Sequence, residues 1–192
     1  MNLLTDALPG AVTIDNTEYQ VRSHFRDCLR IMMAFEDNEL SAHEKQIILL
    51  QALYSVLPDD IEAAIKAANW FLNGGRDSDE EFDGLRLFSF SRDANLIYAA
   101  FRQTHGIDLS TAQLHWWEFL ALFMDLGSET TFCQLVALRK RVKTGKASKE
   151  EKQTAQELGE AFDVPQIDDR TLEEKEAELR FLELVAKGRR NG

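Results

Sequence analysis

The segment 97-IYAAFRQTHGIDLSTAQLHWWEFLALFMDLGSETTFCQLVALR-139 decides the fold class. Gly106 closes one helix-like run, Ile107 to Leu109 crosses over, and Ser110 offers a side-chain oxygen to the free N–H groups of a second run. Residues three and four apart share a helix face, so Leu114, Trp117, Ala121 and Met124 form one apolar strip. Trp116, Phe119, Leu120 and Phe123 form another. A helix apolar over that much of its circumference sits at the centre of a domain or lends one side to a partner. Adjacent indoles point about 100° apart, which predicts Trp117 in the core and Trp116 nearer an edge.

Helical spacing continues on both sides. Phe25, Leu29, Met32 and Met33 predict a helix over 23–35. Ser41 opens a second, lined by Ile47, Leu50, Tyr54 and Leu57. Pro58 suits the first turn of a third, with Asp59 and Asp60 at the positive end of its dipole. Ile61, Ala64, Ile65 and Phe71 carry that helix inward until Gly74-Gly75 stops it. Ser91 is placed to cap the helix carrying Ile97, Tyr98 and Phe101. After Gly127, Phe132, Leu135, Val136 and Leu138 point inward, while Arg139, Lys140, Arg141 and Lys143 crowd a helix end whose dipole favours cations.

Ahead of these helices the pattern changes to period two. Val12, Ile14, Tyr19 and Val21 alternate with polar residues around the turn-forming pair Asp15-Asn16, predicting a short hairpin. A two-stranded hairpin is marginal in water and must pack on the helices that follow. The fold class is therefore mainly α: a helical domain opened by an N-terminal β-hairpin over residues 1–145, with an acidic loop at 73–84. Residues 146–192 form a charged, amphipathic helical tail, in which Leu172, Leu179 and Leu182 keep a heptad-like register.

Composition narrows the function. The 192 residues carry a net charge of −11, which argues against nucleic acid as a partner because phosphate binding draws on Lys and Arg. No stretch approaches the roughly 20 apolar residues of a membrane span, and MNLLTDALPG lacks the basic start and apolar run of a signal peptide. No membrane association and a cytoplasmic location are expected. Cys28 and Cys133 sit far apart in apolar helical patterns and are expected as buried free thiols.

Catalytic constellations fare poorly. His115 and Glu118 share a helix face at metal-ligand spacing, but the other histidines, His24, His43 and His105, lie in separate elements. The acidic loop lacks the ligand spacing of an EF-hand. Gly145 to Ser148 lacks the leading glycine and the preceding strand of a phosphate-binding loop. No cofactor and no enzymatic role are expected. The rival from another class is a metal-dependent enzyme using His115 and Glu118.

Particular residues then carry a resemblance. Leu8-Pro9, Val12, Ile14, Tyr19 and Val21 lead into Phe25-Arg26. Asp93, Ile97-Tyr98 and Phe101 follow, then Gly106-Ile107-Asp108-Leu109, Leu114-His115-Trp116-Trp117, Phe119 and Leu122, and finally Thr131-Phe132 with Leu138-Arg139. In these residues the chain, from Leu8 to about Arg141, resembles the bacteriophage "gene product fifteen" family of long-tailed phages and prophages.

The resemblance implies a tail assembly chaperone in the host bacterial cytoplasm, which coats the tape-measure protein and helps bring tail-tube subunits to it, without catalytic residues. A structural tail component retained in the virion is the alternative. Self-association is left open. Partner contacts are expected from Trp116, Phe119 and Phe123 on the tryptophan helix and from Leu179 and Leu182 in the tail.

Overall fold

The computed structural model describes residues 2–76 and 85–164. It opens with the antiparallel pair β1 (Ala11–Ile14) and β2 (Thr17–Gln20), in the register Ala11 to Gln20 and Ile14 to Thr17. Asp15 and Asn16 both take positive φ, 47° and 62°, which a two-residue turn matching the strand twist requires. Val12 and Ile14 face inward and Thr13 outward.

Seven α-helices follow among the described residues: α1 (Phe25–Glu36), α2 (Ala42–Leu53), α3 (Ile61–Leu72), α4 (Ala94–His105), α5 (Trp116–Met124), α6 (Thr131–Lys143) and α7 (Lys149–Leu158). The protein is mainly helical with an N-terminal hairpin. None of these helices is long and apolar enough to cross a membrane.

Local chemistry sets the helix ends. Ser41 and Glu44 form a reciprocal cap on α2, and Ser148 and Glu151 do the same on α7. Arg22, just past β2, donates to the carbonyls of Gln51, Ala52 and Tyr54 at 2.8–2.9 Å, placing a cation at the negative end of α2. This contact and the Val21–Tyr54 bridge dock the hairpin onto the helices.

Several expected faces and boundaries move. In α2 the buried residues are Leu49, Leu50 and Leu53, whereas Ile47 and Leu57 are exposed. The unbroken run Ile47–Leu50 offers more than one apolar face, so spacing alone does not choose between them. Pro58 is buried ahead of α3, and Asp60 is the cap, accepting from Ala63 N–H at 3.0 Å. Ile61 is exposed.

Ser110 does not open the tryptophan helix. Its hydroxyl and N–H both donate to Asp108, at 2.6 and 2.9 Å, holding a turn, and α5 starts at Trp116. Ser91 is likewise not a cap; Asp93 stands at the start of α4.

The composition change after Gly145 does not mark the end of packing. Helix α7 lies on α6, with Arg141 Nε 2.7 Å from Glu151 Oε1, and Ala155 and Val164 are buried. The expected tail register at Leu172, Leu179 and Leu182 falls outside the described residues, as does most of the acidic loop.

Candidate partner-binding surface

The tryptophan helix is the hub of the core. Phe119 is fully buried, its ring stacked 5.1 Å from Phe101, 5.3 Å from Phe25 and 5.5 Å from Trp116. Phe123 is half-buried and extends the cluster to Phe88, Phe90 and Phe132 at 5.2–5.6 Å. Trp116 is 1% exposed and Trp117 3%, so the expected edge position of Trp116 is corrected.

The reason lies in the indole N–H groups. Trp116 Nε1 donates to Leu72 O and Trp117 Nε1 to Phe71 O, each at 2.8 Å. Two indoles that diverge around α5 thus reach consecutive carbonyls at the end of α3, where a helix leaves acceptors unsatisfied. Gly74 and Gly75 then turn the chain away at φ +70° and +78°. A Cβ on Gly75 would come within 2.5 Å of Trp117 Cη2. Trp116 and Phe119 therefore serve the interior and offer no exposed surface, while Phe123 does so only in part. Leu179 and Leu182 lie outside the described residues.

His115 belongs to the same structural device. It caps α5, Nδ1 accepting from Trp117 N–H at 3.0 Å, while Nε2 lies 3.0 Å from Pro9 O. With Nδ1 accepting, Nε2 carries the proton and donates to Pro9. Burial lowers the imidazole pKa, opposed by the Pro9 hydrogen bond and the nearby Glu118 charge. His24 caps α1 in the same way, accepting from Arg26 N–H at 3.3 Å, and the two histidines face each other in an antiparallel bridge.

Across that bridge Phe25 N–H donates to Leu114 O and Trp116 N–H to Ser23 O, at 3.1 and 2.7 Å. Each helix start thus supplies an acceptor for the other's first amide. Both ring nitrogens of His115 are engaged. Among the described residues no group of three or more His, Cys, Asp or Glu could hold a metal ion. Burial, then the Asp27 charge, pushes the Cys28 thiol up to about 12, so it stays protonated. Cys133 is also free.

The sequence places Arg139 with the cations that crowd the end of α6, but it lies one step ahead of the last turn and is fully buried. Its guanidinium makes a two-pronged pair with Asp93, Nη1 to Oδ2 at 2.7 Å and Nη2 to Oδ1 at 3.0 Å. The remaining donors go to the carbonyls of Leu87, Ala161 and Phe162 at 2.8–3.1 Å. One side chain thereby ties α6 to the start of α4, to the segment before it and to the turn after α7. A sequence signal existed: Asp93 and Arg139 both belong to the motifs that carried the family resemblance.

Asp93 of this pair also lines an open groove of about 740 Å³. Leu96 of α4, Leu135 and Leu138 of α6, and Leu158 with Ala161 beyond supply its apolar lining. Arg92, Asn95, Gln134 and Glu160 give it a polar rim. Leu158 is 40% exposed and Leu135 half-buried. Concave, aliphatic and edged by polar groups, the groove has the chemistry of a site for the apolar face of a helix.

A mainly helical protein with an apolar groove and a capping histidine held at both ring nitrogens is defined by its packing. Comparison with known families places it more narrowly: the family described as Bacteriophage Gp15 protein matches residues 4–164, and the chain belongs to that family. The matched region ends at the last described residue, Val164, and includes the Arg139 contacts to Ala161 and Phe162. No curated protein and no solved structure matches the chain.

Proposed function

We propose that the protein is a tail assembly chaperone, which binds the phage tape-measure protein and assists tail-tube assembly without making or breaking covalent bonds. Family membership supports a phage role, and the resemblance supplies the partner. The observation that carries the binding mode is the groove between α4, α6 and the 158–161 turn, whose Leu96, Leu135 and Leu158 suit the apolar side of a helical segment. A tape-measure protein is expected to be long and helical. A net charge of −11 helps keep a protein with such a surface in solution.

The test is co-expression with the tape-measure protein of the same phage, followed by affinity capture. Wild type is expected to retain it, and Leu135→Glu, which puts a charge in the groove, to lose most of it while keeping the helical circular-dichroism spectrum. Equal capture by a folded Leu135→Glu protein would move the site elsewhere. Absence of capture by wild type would remove the chaperone reading.

A further inference from the structure

The two-residue turn of the hairpin fixes which backbone groups of β1 point away from β2. Ile14 and Thr17, flanking the turn, form a hydrogen-bonded pair, so the bonded pairs continue at Val12 and at Gly10. The Val21 N–H to Gly10 O bond of 2.9 Å shows that parity. Ala11 and Thr13 therefore direct their N–H and C=O groups to the outer side, where they have no hydrogen-bond partner among the described residues.

The outer edge of β2 is partly closed, because Ser55 N–H donates to Gln20 O at 3.1 Å and Val21 pairs with Tyr54. Proteins guard open edges with charges, prolines or bulges. Ala11–Ile14 has no charge or proline, and its pairing with β2 is unbulged.

This edge opens on a groove of about 1040 Å³ whose other wall is α3, with Ala63, Lys66, Ala67 and Trp70. Charge runs along it with a direction. Pro9 O is held by His115, whose ring lies 5.9 Å from that of Phe71, so the Ala11 end of β1 lies toward the end of α3 and Arg76. Asp15 then lies toward Glu62 at the start of α3. Neither Asp15, Glu62, Lys66 nor Arg76 forms an ion pair among the described residues.

We infer that β1 of a second copy of this chain completes this edge, antiparallel and about a twofold axis at Val12. In that register Ala11 faces Thr13 of the second copy and Thr13 faces its Ala11, so every outward N–H meets an outward C=O. The same rotation brings the acidic end of one groove, Asp15 and Glu62, toward Arg76 of the other. A strand from a different protein would satisfy the hydrogen bonds; the chain's own strand, rotated about the twofold, also turns this charge gradient into its complement.

Sedimentation velocity of the full chain is expected to give twice the monomer mass. Thr13→Pro removes an outward N–H that β1–β2 pairing does not use, at an edge position where proline is tolerated, and should return the protein to monomer with an unchanged near-ultraviolet spectrum. Opposed residues of a non-bonded antiparallel pair lie about 4.5 Å apart at Cα, within disulfide range. Val12→Cys in a Cys133→Ser background should therefore form a covalent dimer on oxidation.

A wild-type monomer at every accessible concentration, or a folded Thr13→Pro dimer, overturns the proposal. If Thr13→Pro does not fold, the Val12→Cys cross-link decides alone, and its failure to form overturns the proposal.

Discussion

Replacing Asp93 by Ala leaves the Arg139 guanidinium buried without its counter-charge. The Asp93 side chain is 4% exposed and that of Arg139 0%, so neither water nor salt compensates the loss. The backbone acceptors at Leu87, Ala161 and Phe162 remain, but they carry partial charges only, and Ser89 N–H loses its 3.0 Å bond to the same carboxylate. Removing one partner of a buried pair costs about 3–5 kcal/mol, a large share of a domain stability of about 5–15 kcal/mol. At 4 kcal/mol the folded-to-unfolded ratio falls about a thousandfold, and the melting temperature drops on the order of 10 °C for a chain of this size.

Urea unfolding followed by circular dichroism measures the loss directly. The double variant Asp93→Ala/Arg139→Met should lose less than the sum of the single variants, because removing both partners leaves no orphaned charge. The turn at 159–164, held by Arg139, should become the first site of proteolytic cutting in Asp93→Ala. A cost near 1 kcal/mol or less, or strict additivity in the double variant, would refute the view that this pair fastens α4, α6 and that turn together.

Glycine positions separate backbone strain from crowding. Gly75→Ala must take φ +78° and push into Trp117, so it should cost more than Gly106→Ala, which takes φ +69° with open space around it; about 1 kcal/mol is expected for the latter and clearly more for the former, read as unfolding midpoints. Phe119→Ala, at the centre of the stacked rings, should destabilise by about 3–5 kcal/mol in the same assay. Trp116→Ala should likewise act on the fold, and a fully stable variant would contradict the role of its indole at Leu72.

The lowered pKa of His115 means that the folded state prefers the neutral ring, so its contribution is present above pH 6.5, the ordinary value, and is lost as pH falls below it. Thermal melts between pH 7.5 and 5 should show this decline. His115→Asn, which retains a capping oxygen, should flatten it, and an unaltered slope would assign the titration to another group.

How far the sequence reached depended on what it had to specify. The hairpin was legible because alternation and Asp15-Asn16 point to the same turn. The helices were legible from spacing, and Gly74-Gly75 and Gly106 from their place at helix ends. Faces were less so: in α2 the run Ile47–Leu50 fits several orientations, and only the neighbours choose Leu49, Leu50 and Leu53.

Helical projection treats an indole as bulk, and so assigns the twin tryptophans to one core and one edge position. Their N–H groups, meeting Phe71 and Leu72 some 45 residues earlier, were invisible to any local pattern. Arg139 was misplaced for the same reason. A cation in a basic last turn satisfies the dipole argument, and nothing local announces that Asp93 waits across the fold. Capping was also contested: Ser110 has the right type and position to start a helix, but Asp108 two residues earlier takes both its donors.

The proposed function rests on the groove between α4, α6 and the 158–161 turn. Hydrogen-exchange mass spectrometry of the purified protein, with and without helical fragments of the tape-measure protein, addresses it directly. Slowed exchange is predicted over 92–97, 131–139 and 155–162, with α1 and α2 unaffected. Binding that leaves those three segments unchanged, or no binding to any fragment, would contradict the account.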